Sequence, residues 1–193
     1  MKLILSSSDF GHTESAKFIR DNLCPPIEDC KVLYFPNEKA TEDMIKSNKY
    51  VKRLCGFGFR KENIYVFNYF DPAPFFTLKP DLIYISGGNT FGTLKRIRES
   101  GADKLIVELV HNGVTYIGGS AGAHIATADI SHVAIYDEDT FGLTDFKGLG
   151  LFSGILICHY SDERMQDFER LKTAGKYRVT ALKDNESIMI RED

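Results

Sequence analysis

Short apolar runs alternate with longer amphipathic stretches along this chain. Leu3–Leu5, Lys31–Phe35, Asn63–Phe67, Asp81–Ser86 and Val114–Ile117 are rich in β-branched, leucine and aromatic residues and predict strands. Thr13 opens a helix to about Leu23, with Ala16, Phe18, Ile19 and Leu23 on its inner side and Pro25-Pro26 as the stop. Thr41 opens another that carries Met44, Ile45, Val51 and Leu54 at helical spacing and ends at Gly56 and Gly58. Asn68–Pro80 holds three prolines and four aromatics and predicts a surface-packed loop. Gly87-Gly88-Asn89-Thr90 turn the chain into a helix through about Ser100, and a second helix spans Ala102–His111.

Beyond Val114–Ile117 the small residues Ala121–Ala128 predict a helix, and His132–Tyr136 a strand. Asp137–Leu151 reads as a loop-rich excursion. Gly154–Cys158 is a further strand that runs into His159-Tyr160, and Ser161 caps a helix through about Thr173. Tyr177–Leu182 and Ser187–Ile190 are short closing strands around the turn Lys183–Glu186. Strands alternating with helices predict an α/β fold whose parallel sheet is covered on both faces. Neither a repeat nor a linker divides residues 1–193, which are expected to form a single domain.

Composition narrows the function classes. Hydrophobic residues make up 43% and charged residues 26% of 193, an ordinary globular balance with room for a real core. The net charge of -3 comes without a basic block, which argues against nucleic acid. Lys95, Arg96 and Arg98 cluster at helical spacing and read as a solvated face. The apolar runs fall short of a membrane span and the start is too short for a signal sequence, so a cytoplasmic protein is expected. Cys24, Cys30, Cys55 and Cys158 contain no C-x-x-C pair, so reduced thiols are expected and no metal is implied.

The chemistry centres on Gly118-Gly119-Ser120-Ala121-Gly122. A strand enters a G-x-S-x-G corner here and a helix leaves it. A nucleophile on such a corner has a strained backbone, and side chains two positions away on either side would collide. The helix end offers free N–H groups to a developing anion. The plain alternative is a helix-capping serine. In an open α/β sheet, ligands bind beyond the C-terminal strand ends. The Ser6 loop, Gly87-Gly88-Asn89, Ser120 and His159 all fall there. His159 leaves the Ile155–Cys158 run and is the best-placed base; His12 and His111 lie in a loop and at a helix end, His124 sits on the elbow helix facing the sheet or solvent, and His132 stands at the wrong strand end. Asp184, Glu186 and the rival cluster Asp137, Glu138 and Asp139 remain open as the third member.

Taken together, the Ser-rich first loop, Ile85–Thr90, the Ser120 elbow, Cys158-His159-Tyr160 and Ala181–Asn185 resemble the peptidase E (aspartyl dipeptidase) family, whose wider group includes cyanophycinase. The motifs run in the family's order over nearly the whole chain. The resemblance implies a doubly wound, mostly parallel, class I glutamine-amidotransferase-like (flavodoxin-like) three-layer sandwich. It implies a serine exopeptidase acting through an acyl-enzyme on short peptides, with an aspartyl residue at the first position. Ser120 becomes the nucleophile, His159 the base and Asp184 the acid; the family carries a Glu at the Asp184 position, and this departure leaves Glu186 as runner-up. Ala121 and the Gly88-Asn89 stretch become the oxyanion donors, with Gly88 the better second one, and Arg164 the partner of the substrate carboxylate. The bland reading of Arg164 is a surface helix residue pairing with Asp167 or Glu163. No cofactor is implied, and the partner is a small peptide, the protein itself a monomer or homodimer. The alternatives are an isoaspartyl or cyanophycin-type peptidase and a non-catalytic ligand-binding member. The order Ser, His, acid differs from that of the α/β-hydrolases. Ser120 and Ser161 stand where glutaminases of this fold carry Cys and Glu.

Overall fold

Alternate residues of the central strands face two different apolar cores. Leu3, Leu5, Leu33, Phe35, Ile83, Ile85 and Tyr116 point into one, while Ile4, Val32, Tyr34, Leu82, Tyr84 and Ile117 point into the other. This period of two is what a sheet buried on both faces requires. The structure is a computed structural model that describes residues 1–191.

Its main sheet contains β1 (Lys2–Ser6), β2 (Val32–Phe35), β3 (Ile64–Val66), β4 (Leu82–Ile85), β5 (Thr115–Gly119) and β8 (Ser187–Arg191), in the order β3-β2-β4-β5-β1-β8. All neighbours are parallel except β8, which runs antiparallel to β1. Between β5 and β8 lie β6 (Ile155–Ile157) and β7 (Val179–Ala181), which pair in parallel as a separate small sheet.

One face of the main sheet is covered by α1 (Thr13–Asp21), α2 (Glu42–Lys46) and α3 (Lys49–Phe57), through Ala16, Ile19, Ile45, Tyr50 and Leu54. The other is covered by α4 (Thr90–Glu99), α5 (Ala102–His111) and α6 (Ala121–Ile125), through Phe91, Leu94, Ile97, Leu105, Ile106 and Ala123. Full burial of each such Leu, Ile or Phe contributes about 1.5–3 kcal/mol over leaving it in water. The result is the α/β three-layer sandwich expected from the alternating pattern. The last helix, α7 (Met165–Ala174), packs beside β7. Among the described residues no helix is long and apolar enough to cross a membrane.

Several local expectations are corrected. His132–Tyr136 is not a strand; Ser131–Ile135 forms a 3-10 helix. His132 Nε2 donates to the Leu156 carbonyl at 2.6 Å, so this segment docks on β6 through a side chain rather than a ladder. The helix opened by Thr41 divides in two. Ser47 turns its hydroxyl onto the Met44 carbonyl at 2.8 Å and adopts an extended ψ of 164°, which ends α2 before α3 starts. His12, not Thr13, caps α1, its Nδ1 accepting the Glu14 N–H at 3.4 Å. Ser161 makes no side-chain cap, and a 3-10 turn at Asp162–Arg164 precedes α7. The two closing strands do not form a hairpin. β7 pairs with β6 and β8 with β1, so the turn 183–186 bridges two sheets.

Candidate active site

β5 delivers Ser120 at its C-terminal end, and α6 begins on the next residue. The Ser120 backbone sits at φ 48° and ψ -106°, a conformation that L-residues avoid unless their surroundings impose it. Those surroundings are the glycines. A Cβ on Gly118 would stand 2.5 Å from the Gly122 carbonyl oxygen, and one on Gly122 would stand 2.1 Å from the Ile85 carbonyl oxygen. Gly119 is needed for another reason: a Cβ there would meet Asp9 Oδ2 at 2.0 Å. Asp9 is buried, takes a hydrogen bond from the Tyr84 hydroxyl at 2.9 Å, and has its pKa raised by that burial.

Ser120 Oγ lies 2.9 Å from His159 Nε2, and His159 Nδ1 lies 2.5 Å from Asp184 Oδ1. His159 follows β6 at a positive φ of 54°, which turns its ring across the end of β5. Asp184 sits in the turn that bridges the two sheets. The hydrogen bond from His159 holds its carboxyl below the usual range, against the opposing effect of burial. Glu186 is two residues away but faces elsewhere; its Oε2 accepts the Lys183 N–H at 2.8 Å. Asp137, from the rival acidic cluster, accepts the Thr90 N–H at 2.8 Å at the start of α4.

The loop after β1 ties these pieces together. Ser120 N–H donates to the Ser6 carbonyl at 2.9 Å. Ser7 Oγ accepts the His159 N–H at 2.7 Å, Ser7 N–H donates to the Glu186 carbonyl at 3.1 Å, and Ser8 Oγ donates to Asp184 Oδ1 at 3.3 Å. Three consecutive serines thus touch the elbow, the imidazole strand end and the acid turn. The sequence marked this loop as a polar strand end and as part of the family resemblance; the hydroxyls of Ser7 and Ser8 were the available signal for its contacts.

On the opposite side, the loop after β4 packs against the elbow, where a Cβ on Gly87 would be 3.3 Å from Ser120 Cβ. Asn89 is committed to the start of α4. Its N–H donates to Glu38 Oε2 at 2.9 Å and its Oδ1 accepts the Gly92 N–H at 2.9 Å. Among the described residues the Gly88 and Ala121 N–H groups have no protein acceptor. Glu38, Asp137 and Asn89 Oδ1 thus take the N–H groups of Asn89, Thr90 and Gly92 at the start of α4.

A model of peptidase family S51 matches residues 3–193. The chain belongs to that family. An uncharacterized peptidase of Listeria monocytogenes is 36% identical over 118 residues, covering 58% of this chain and 58% of the relative. Peptidase E of Haemophilus influenzae is 37% identical over 86 residues, covering 45% of this chain and 38% of the relative. The matched stretches therefore span just over half of the first relative and well under half of the second. A solved structure of a candidate peptidase E from Listeria monocytogenes aligns with a TM-score of 0.75 at 25% identity, over 98% of this chain and 94% of that one.

In this S51 chain the remaining histidines and cysteines lie outside that constellation. Burial pushes His124 down to about 3, and its Nε2 accepts the Cys158 N–H at 3.4 Å. Burial also lowers His132. Both rings are neutral core groups, in T-shaped contact at 5.8 Å. Burial raises the Cys158 thiol to about 12, which removes it as a nucleophile near neutral pH. Arg164 reaches back over the strand end. Its Nη1 donates to the Cys158 carbonyl at 2.5 Å and its guanidinium lies 3.9 Å from the centroid of the Tyr136 ring. The pairing partners expected of a surface helix residue, Glu163 and Asp167, are not used; Asp167 bonds Arg170 and the Tyr136 hydroxyl. Among the described residues no group of three His, Cys, Asp or Glu side chains could hold a metal.

Proposed function

We propose that this S51 chain is a serine exopeptidase that hydrolyses short peptides through an acyl-enzyme on Ser120. The carrying observation is the Ser120 Oγ–His159 Nε2 distance of 2.9 Å, continued to Asp184 at 2.5 Å, on a serine held at φ 48°. In this reading the neutral His159 donates its Nδ1–H to Asp184 and accepts the Ser120 proton at Nε2. Ser120 Oγ then attacks the scissile carbonyl carbon. The tetrahedral oxyanion forms against the Ala121 N–H at the start of α6 and the Gly88 N–H. The imidazolium returns its proton to the leaving amine, and the C–N bond breaks. Water, deprotonated by the same imidazole, then attacks the ester carbon; the bond from that carbon to Ser120 Oγ breaks, the imidazolium returns its proton to Oγ, and the acid product leaves.

Arg164 is assigned to an acidic side chain on the first residue of the peptide. Its bond to Cys158 occupies one of five guanidinium N–H donors, and the stack on Tyr136 fixes the plane of the rest. The relatives named peptidase E support a peptidase. The test is a library of labelled dipeptides and tripeptides incubated with the purified protein. Release of the first residue, with Asp-Xaa peptides ahead of neutral ones, is the expected result. Turnover of none of the peptides would overturn it.

A further inference from the structure

Asn37 and Glu38 follow β2 and take no part in the proposed reaction. Asn37 Nδ2 donates to the Gly87 carbonyl at 3.1 Å. Its Oδ1 accepts the Lys39 N–H at 3.3 Å, which settles the end of the amide that faces Gly87. Glu38 Oε2 accepts both the Asn89 N–H at 2.9 Å and the Thr93 hydroxyl at 3.1 Å. The turn carrying them is fastened to α4. Arg96 Nη1 donates to the carbonyls of Glu38 at 2.9 Å and Ala40 at 2.6 Å, and its guanidinium lies 4.8 Å from the centroid of the Tyr69 ring.

The Gly87 carbonyl and the Gly88 N–H belong to one peptide plane. Cys24–Pro25 is the only cis bond among the described residues, so this peptide is trans and its two polar groups point in opposite directions. Holding the carbonyl on Asn37 therefore turns the N–H away from Asn37. Restraint is needed because a Gly-Gly peptide has no Cβ on either side and rotates easily. Nor can a larger residue supply the stiffness. A Cβ on Gly88 would stand 2.6 Å from Asn37 Cβ, and one on Gly87 would press on Ser120. A rotated peptide would set a carbonyl oxygen where an oxyanion needs a donor.

We propose that Asn37 is a positioning residue for the oxyanion hole. Its side-chain amide holds the Gly87–Gly88 peptide in the orientation that offers the Gly88 N–H to the oxyanion, while Glu38 fixes the next N–H out of the way. This rests on the reading of Ser120 as nucleophile.

The test uses a fluorophosphonate probe, whose phosphoryl oxygen occupies the oxyanion hole as it reacts with the serine. The wild type is expected to label on Ser120. Asn37→Ala and the near-isosteric Asn37→Leu should label roughly 10–100-fold more slowly, somewhat less than the loss of an oxyanion donor itself. Their thermal midpoints should stay near wild type and the pH profile of labelling should be unchanged, since His159 and Asp184 are untouched. Asn37→Asp should be at least as slow, because a carboxylate repels the Gly87 carbonyl. Labelling of both Asn37→Ala and Asn37→Leu at the wild-type rate would overturn the proposal, as would a loss explained by the unfolded fraction. If Asn37→Ala does not fold, Asn37→Leu decides alone. Absence of labelling in the wild type is a separate outcome that removes the Ser120 reading beneath it.

Discussion

Ser120 and His159 approach to 2.9 Å across two different sheets, and both hold positive φ, 48° and 54°. Neither backbone is comfortable alone. Each is held by the same loop, through the Ser6 carbonyl on the Ser120 N–H and Ser7 Oγ on the His159 N–H. Strain of this kind costs on the order of 1–3 kcal/mol per residue and persists where surrounding contacts over-determine it. The serine and the imidazole thus share one scaffold although 39 residues separate them.

Replacing Ser120 tests the nucleophile. Ser120→Ala should lower kcat by about 10⁴- to 10⁶-fold, the scale of removing a triad serine. A serine-directed phosphonate should label the wild type and not the variant. Labelling that survives in the variant would place the nucleophile elsewhere.

The acid can be tested by comparing two changes in one turn. Asp184→Asn removes the charge that the 2.5 Å contact with His159 uses, and should cost roughly 10³- to 10⁴-fold in kcat. Glu186→Gln only alters a turn bond to Lys183 and should cost less than about threefold, within the range of small surface changes. The reverse ranking in steady-state kinetics would reassign the acid.

Arg164→Met separates substrate recognition from support of the strand end. If the guanidinium pairs with an acidic first residue, kcat/KM for Asp-Xaa peptides should fall about 10- to 1000-fold, the range of a charge-assisted pair and its desolvated extreme. Peptides with a neutral first residue should lose less than about threefold. An equal loss for both would mean that the Cys158 bond and the Tyr136 stack are its whole role.

Acid stability should reflect His124. Burial depresses it to about 3 from an ordinary 6.5, so below pH 6.5 the unfolded chain binds a proton that the folded chain refuses. Stability then falls as pH drops, by about 1.4 kcal/mol per unit, or about 2 kcal/mol between pH 7 and pH 5 from this group. Urea unfolding of the wild type and of His124→Asn at both pH values measures the difference. An identical pH dependence in the two proteins would rule out His124 as its source.

Two glycines should behave oppositely. In Gly122→Ala the new Cβ would lie 2.1 Å from the Ile85 carbonyl oxygen of β4, which is backbone and cannot step aside. That variant should unfold several degrees lower or accumulate as insoluble protein. Gly56 lies within α3, with nothing within 4 Å of such a Cβ. Gly56→Ala should be more stable by about 0.5–1 kcal/mol, as expected in a helix interior. Equal thermal midpoints would show that the elbow tolerates more volume than its contacts allow.

The elements of the main sheet were legible because their signals are local. Leu3–Leu5, Val32–Phe35 and Leu82–Ile85 alternate between two cores, and a sheet buried on both faces needs apolar residues at every position. The G-x-S-x-G corner was legible for a related reason, since its glycines answer contacts with the elbow's own turn and the neighbouring strand. His132–Tyr136 misled because its β-formers are overridden by one side-chain bond to Leu156, a partner 24 residues away. The choice between Asp184 and Glu186 also lay beyond the sequence. Both are carboxylates in one four-residue turn, and only the pairing of β7 with β6 and of β8 with β1 turns Asp184 toward His159. Asn89 stood beside Gly88 as a candidate oxyanion donor, and only Glu38, 51 residues earlier, takes its N–H. Local propensity and steric need are written residue by residue, whereas the direction of a side chain from a turn depends on which distant strands pair, and that is decided only when the chain has packed.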